Sequence, residues 1–403
     1  MFYTKKKKLQ KYIAGALTIV MIGTGFVPIN NAEAYEIQTT QKQEKQEVKL
    51  NSKEMKDYIK NSALEWAGMI EPDLNLKVKN IKRILTSDRN EIEYSVSYFC
   101  GKEPYGYAIL QWIDEDFVVL EGVVEKNCQG IYEGIAENIE DEENLNEEEI
   151  GEELVKISDT QYGVATENEA GRDVVYDNFG NQHPMVKSEQ YALDQSIFIN
   201  QGKFEAGVKY KILDSIELKK YKNRSFLFTD DKIKDITGKY ACAIQSLLQI
   251  SYMENLCSTS NNSIKETYND LWKRCNTEYD SSDGQYGNTI KDAAKGFVAF
   301  AKSKGYEGTA YKGEKSDPSV AWLKDKLEYN RPIIMGYTIN VNGYDRTHAI
   351  SVLGWYKAKK VSSGKTYNYL KVYDGWNNTP CYLNYTTVDF SKYCSASYFW
   401  VKK

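Results

Sequence analysis

Histidine is nearly absent from this chain. The 403 residues contain two, His183 and His348, so chemistry that needs an imidazole has two places to reside. There is no CxxC and no HExxH, and two histidines make a poor metal-ligand set, so no metal centre is expected. No cofactor is expected either. The acidic stretch 137–153 lacks the D-x-D-x-D-G spacing of a calcium loop. Like-charge repulsion makes it a solvated linker or an exposed helix. A net charge of −5 leaves no electrostatic footprint for nucleic acid. Beyond the N-terminus no stretch is long and apolar enough to span a bilayer.

Met1 to Ala34 has the pattern of a secretory signal. Lys5 to Lys8 and Lys11 form a charged start, Tyr12 to Val27 an apolar segment, and Ala32-Glu33-Ala34 a cleavage site. The apolar core is short and a cleavage site follows it, which disfavours a retained anchor. The mature product is therefore expected to be secreted or at the cell surface, with no stable membrane insertion after signal cleavage.

A chain of 403 residues predicts two or three units. Residues 35–52 are a polar lead-in. From Ser52 the apolar positions Met55, Ile59, Leu64, Trp66, Met69 and Ile70 predict a helix that Pro72 stops. Strands are expected at 74–85, 91–100, 106–113 and 117–125; Ile92, Tyr94, Val96 and Tyr98 alternate as on a half-solvated sheet. Residues 35–136 thus read as a small α+β domain. Residues 137–228 read as an acidic linker and activation region. Within it, His183 beside Pro184 reads as an exposed loop histidine. The basic run Lys219, Lys220, Lys222 and Arg224 offers an exposed cleavage point before the last unit. In residues 229–403 helical patterns at 264–274, 289–304 and 319–329 precede strands at 333–340, 349–355, 367–373 and 398–401.

That last unit opens on Gly238-Lys239-Tyr240-Ala241-Cys242, followed by Ala243, Ile244, Leu247, Leu248 and Ile250 at buried-helix spacing. Cys242 then sits at the first turn of a helix, where free N–H groups and the dipole favour a thiolate. It is a nucleophile candidate, or else a small apolar core residue. A thiol nucleophile needs an imidazole to take its proton and a third group to hold that imidazole. His348 heads an apolar strand ending in Gly354-Trp355, and Asp374 lies in Asp374-Gly375-Trp376 at the end of the next strand. Cys242, His348 and Asp374 supply the three roles in that order.

These pieces resemble the papain-like cysteine peptidases: the Cys opening a helix, the His-Ala strand ending in Gly-aromatic, and the Asp374-Gly375-Trp376 turn. The resemblance covers roughly residues 229–403. It is nearest in layout to secreted bacterial members of the streptopain and staphopain type, with an Asp third member as in bacteriocin-processing peptidases. It implies an α+β, papain-like catalytic domain, with a helical half and an antiparallel β half. Trp376 would shield the His348–Asp374 pair, and residues 35–136 would be a propeptide-like domain. A secreted zymogen acting as a monomer on peptide or protein substrates follows, working through a thioester acyl-enzyme. One departure stands out: no Gln lies between Phe226 and Cys242 to serve as an oxyanion donor. Asp235, Thr237 or a backbone N–H would have to help instead.

The same triad also fits another thiol acyl-transferase, such as a transglutaminase or a cell-wall amidase. The missing Gln is the motive for a third reading, a catalytically inactive papain-like binding or adhesin module. Seven cysteines leave at least one unpaired. Apart from Cys242 there are Cys100 and Cys128 in the first part, and Cys257, Cys275, Cys381 and Cys394 in the second. Bridges between Cys257 and Cys275 and between Cys381 and Cys394 are possible by proximity; free buried thiols are the alternative.

Overall fold

The computed structural model describes residues 47–49, 52–86, 92–143, 150–151, 153–158, 161–167, 173–177, 182–184, 198–200, 209–221, 228–280, 285–341, 344–377, 379–388 and 393–403. The leader at 1–34 and the basic positions Lys222 and Arg224 lie outside them. Residues Lys45–Lys403 form one compact unit of mixed α and β structure, with seven helices among the described residues.

Its first part is a meander, β1 (Lys77–Leu85), β2 (Glu93–Cys100), β3 (Glu103–Ile113) and β4 (Asp116–Val124), preceded by α1 (Ser52–Ile70). Side-chain alternation sorts the inner strands into two cores. Ala108, Leu110, Phe117 and Val119 pack with Tyr58, Ile59, Ala63 and Trp66 of α1. Tyr107, Ile109, Leu120 and Val123 face the opposite way, into the core shared with the C-terminal half. Both faces of β4 are therefore covered, and every residue of it is buried. This departs from the half-solvated sheet expected of an isolated small domain.

Within the region expected to be a linker, the described residues include part of a helix and several strands. Helix α2 (Ile131–Glu143) spans the start of the acidic run and buries Ile135 and Ile139. Strands β5 (Leu154–Ser158), β6 (Gln161–Glu167), β7 (Asp173–Asp177) and β8 (Gln182–Pro184) extend the sheet beyond β1, and β9 (Tyr210–Glu217) pairs with a C-terminal strand. His183 is not an exposed loop residue. It lies on β8 opposite Val175, 6% exposed, with Nε2 2.8 Å from Asp177 Oδ2.

The C-terminal half begins with α3 (Asp230–Thr237), α4 (Cys242–Met253), α5 (Asn261–Arg274) and α6 (Ile290–Ser303). Thr229, Ser260 and Thr289 cap α3, α5 and α6 by accepting main-chain N–H bonds, which fixes where each helix starts. Strand β10 (Ala310–Ser316) and α7 (Val320–Glu328) lead into β11 (Ile333–Val341), β12 (Tyr344–Lys360), β13 (Thr366–Tyr373), β14 (Cys381–Asn384) and β15 (Cys394–Trp400). The spatial order is β10-β15-β11-β12-β13-β14-β4-β3-β2-β1-β5-β6-β7-β8, with β9 on β12. One sheet thus runs through both halves, joined where Tyr382 and Leu383 pair with Gly122 and Glu121.

A buried ion pair fastens the junction. Lys360, at the end of β12, is fully buried; its ammonium donates to Asp116 and to the Phe117 carbonyl. Asp116 also accepts from Tyr58 at 2.8 Å and Ser362 at 3.0 Å. Around it Tyr210, Tyr367, Tyr369 and Tyr382 of the later chain pack into the α1 core. All seven cysteines are free thiols, so neither proposed bridge is formed. Among the described residues no helix is long and apolar enough to cross a membrane.

Candidate active site

Helix α4 runs through the middle of the C-terminal half. Ten of its twelve residues are buried, so it is covered nearly all round, with the polar Gln245, Ser246, Gln249 and Ser251 among the buried side chains. Ala241 enters it in extended conformation with no side-chain cap, and its own N–H is taken by the Tyr268 hydroxyl at 2.8 Å. The first-turn amides of α4, with Cys242 as the first helical residue, therefore point at the site.

Two serine bonds lock this helix to β12. Ser246 Oγ donates to the Ala349 carbonyl at 2.8 Å, and Ser351 Oγ donates to the Ser246 carbonyl at 3.0 Å. That register places Cys242 against the residue preceding His348: Sγ lies 3.7 Å from the Thr347 carbonyl oxygen. Cys242 is half-buried, whereas His348 is 3% exposed.

The imidazole is held on three sides. Trp376 stacks on it at 4.1 Å and 25°, and Tyr337 meets it edge-on at 5.7 Å. Nε2 lies 2.9 Å from the main-chain oxygen of Asp374. A carbonyl oxygen only accepts, so Nε2 carries the hydrogen and Nδ1 of the neutral ring carries the lone pair. The third group thus reaches His348 through its backbone. The Asp374 carboxylate is used elsewhere: Oδ1 accepts from the N–H groups of Trp376 at 2.9 Å and Asn377 at 3.0 Å, and Oδ2 accepts from Asn377 Nδ2 at 2.7 Å. It builds the turn that carries Trp376.

Gln245, one turn after Cys242, was not singled out from the sequence. Its amide donates to Phe228 O at 2.6 Å, Gly375 O at 3.0 Å and the Tyr373 hydroxyl at 3.2 Å. It ties the helix of the thiol to the turn that holds the imidazole. A Cβ on Gly375, at φ +89°, would fall 2.4 Å from Gln245 Oε1. The Asp-Gly-Trp turn needs its glycine for both reasons. The available signal was a glutamine one turn after the cysteine, within a run rich in apolar residues.

Thr237 does not offer a free donor. Its hydroxyl lies 2.7 Å from Ile233 O and 2.8 Å from Lys239 O, closing the end of α3 ahead of the Gly238 turn at φ +73°. Asp235 is exposed on α3.

Burial governs the protonation states. It pushes the Cys242 thiol up, against the lowering pull of nearby main-chain N–H groups. It also pushes His348 down to about 3, against the raising effect of the Asp374 carbonyl. Both shifts favour the neutral forms, a thiol and an imidazole, in opposition to the thiolate-favouring effect of the helix end. Asp374 is likewise raised by burial, partly offset by the bonds from Asn377 and Trp376. No three residues among those described are grouped to hold a metal ion.

Among solved structures, the chain is similar to that of the active wild-type interpain A cysteine protease of Prevotella intermedia. The two are 11% identical with a TM-score of 0.32, over 46% of this chain and 95% of that one. No family model and no curated protein matches the chain.

Proposed function

We propose that the protein is a secreted cysteine endopeptidase of papain-like design, made as a zymogen. The observation that carries this reading is the His348 tautomer. With Nε2–H committed to the Asp374 carbonyl, Nδ1 of His348 keeps its lone pair, one residue along β12 from the Thr347 carbonyl that faces Cys242 Sγ. In this reading the Cys242 proton passes to Nδ1 as sulfur attacks the peptide carbonyl. The resulting imidazolium protonates the leaving amine, and water then hydrolyses the thioester with His348 as base. The Cys242 N–H at the start of α4 holds the developing oxyanion. Asp374 and Gln245 act as positioning residues, and Trp376 screens the imidazole. Thr237 shapes the approach to Cys242 rather than holding the oxyanion.

The signal at 1–34 would export the chain, and residues 35–228 would keep it inactive until cut near 219–230. Two features of the junction support a detachable N-terminal part. It is rich in tyrosine, and its central contact is the Lys360–Asp116 pair, whose members are readily hydrated once separated. The test uses the exported chain before and after cleavage at the basic run, assayed on unstructured peptides. Activity that appears on cleavage and is abolished by Cys242→Ala and by His348→Ala supports the reading. Equal hydrolysis by cut and uncut chain removes the zymogen, and hydrolysis by Cys242→Ala removes the peptidase.

A further inference from the structure

A line of four aromatic rings leads from the candidate thiol to solvent. The Tyr268 hydroxyl takes the N–H of Ala241, the residue before Cys242, at 2.8 Å. One turn further along α5, the Trp272 ring lies 5.8 Å from that of Tyr268. Tyr286 meets Trp272 edge-on at 4.9 Å, and Tyr279 meets Tyr286 at 5.0 Å. The two tyrosines are directly opposed in a hairpin formed by Glu278–Asp280 and Gln285–Gly287, so they share one face of it. Tyr268 is fully buried and Trp272 half-buried, but Tyr279 is 55% and Tyr286 43% exposed. Apolar side chains scattered singly over a surface are ordinary; a contiguous run that begins beside a candidate nucleophile marks a contact surface.

A cation lies on this line. Lys239 Nζ sits 4.2 Å from the centre of the Trp272 ring. Among the described residues neither Lys239 nor its neighbour Lys273 has a carboxylate partner. Asp270, on the same helix as Trp272, is taken by Arg274 at 2.6 Å. Glu278 alternates to the hairpin face away from Tyr279. Partial burial and the Lys273 charge both pull the Lys239 ammonium down, so an anion placed here relieves both ammonium groups.

We infer that these rings and lysines form a peptide-binding platform that takes an acidic side chain next to an aromatic one, with Lys239 as the residue that sets the preference. Charge and shape fix the occupant. Two ammonium groups without a carboxylate match an acidic side chain, and the exposed rings of Tyr286 and Tyr279 match a flat apolar one. Lys239 stands three residues before Cys242, which limits the separation of their backbones to about 10 Å. A peptide carboxylate held there lies within about three residues of a carbonyl placed at Cys242. The inference rests on the peptidase reading only for that direction, because the platform itself is exposed in the uncut chain.

The test is a ligand-observed NMR titration of the uncut chain carrying Cys242→Ala, which cannot consume the peptide. The probes are acetyl-Tyr-Glu-Tyr-amide, its Gln and Lys counterparts, and acetyl-Ala-Glu-Ala-amide. The Glu probe should bind about fivefold or more tighter than the Gln probe and the alanine probe. Its margin over the Gln probe should shrink as salt is raised. Lys239→Gln should erase that margin, and Lys239→Glu should turn the preference to the Lys probe. Tyr279→Ser and Tyr286→Ser, both at exposed positions, should weaken every tyrosine-bearing probe. No saturable binding, equal binding of the Glu and Gln probes, or a preference unmoved in both Lys239 variants overturns the inference. Hydrolysis of the same probes by the cleaved chain with Cys242 intact separates it from the peptidase reading. Selective binding without hydrolysis removes the peptidase and leaves the platform; hydrolysis with no selectivity in binding removes the platform and leaves the peptidase.

Discussion

His348 is oriented by the main-chain oxygen of Asp374, 2.9 Å from Nε2, while the carboxylate of the same residue turns away to hold the N–H groups of Trp376 and Asn377. The aspartate therefore works by shaping a turn. A charge in contact with the imidazole is not what the geometry supplies.

Replacing that carboxylate distinguishes the two roles. Asp374→Asn keeps an oxygen for the two main-chain N–H groups, and should lower kcat by less than about tenfold. Asp374→Ala removes the turn's anchor, and should cost about a hundredfold or more, with a change in Trp376 fluorescence. A carboxylate acting directly on the base would make Asn nearly as damaging as Ala, a loss of about ten-thousandfold in the serine-protease precedent. Steady-state kinetics on the two variants decides between them.

Gln245 should behave as a positioning residue. Gln245→Ala leaves the carbonyls of Phe228 and Gly375 without their donor, a loss of about 2–4 kcal/mol in urea unfolding. Gln245→Glu, which sets an acceptor against those carbonyls, should be no better. Unchanged stability in both variants would contradict the role.

The helix and strand that carry the candidate site were legible in the sequence, and what was not has a physical reason. The apolar spacing after Cys242 gave the helix, and the run from Ala349 to Trp355 gave the strand. Which atom of Asp374 meets His348 was not legible, because it depends on the left-handed Gly375 and on a clamp from Gln245. His183 was misread because Pro184 suggested a loop, while its partner Asp177 and its strand register are tertiary facts. Nothing in the sequence around Lys360 marks it as a core residue. Lys360 is nevertheless buried against Asp116, 244 residues away.

That pair makes the N-terminal junction testable. Asp116→Ala strands a buried ammonium, and should destabilise the uncut chain by about 3–5 kcal/mol. Lys360→Met leaves the buried Asp116 carboxylate its two hydroxyl donors, Tyr58 and Ser362, and should cost less. Urea midpoints for both variants, with trypsin susceptibility at 219–224 alongside, provide the check. Equal losses would mean that the charge is not what holds the junction.

Acid sensitivity follows from the buried imidazole. His348 is lowered to about 3 in the folded chain, against about 6.5 when unfolded. Between those values the unfolded state binds more protons, so stability rises with pH across this window, by up to about 1.4 kcal/mol per unit. Above the window the contribution is complete. Glu121 acts in the opposite sense: its folded value of about 8 means stability declines as pH rises towards it. His348→Gln, which keeps a donor for the Asp374 carbonyl, should flatten the acid slope by one proton without touching the alkaline side. An unchanged slope would place another group in control.

The most direct measurement of the central claim is the pH dependence of labelling by a peptidyl vinyl sulfone on the cleaved chain, read by intact mass and peptide mapping. A neutral thiol–imidazole pair predicts labelling at Cys242 alone, at a rate nearly level from about pH 5 to about pH 8, and lost in His348→Ala. A rate that climbs steadily through about pH 8 to 9 as for a free thiol, survives His348→Ala, or spreads to the partly exposed Cys100 would contradict it.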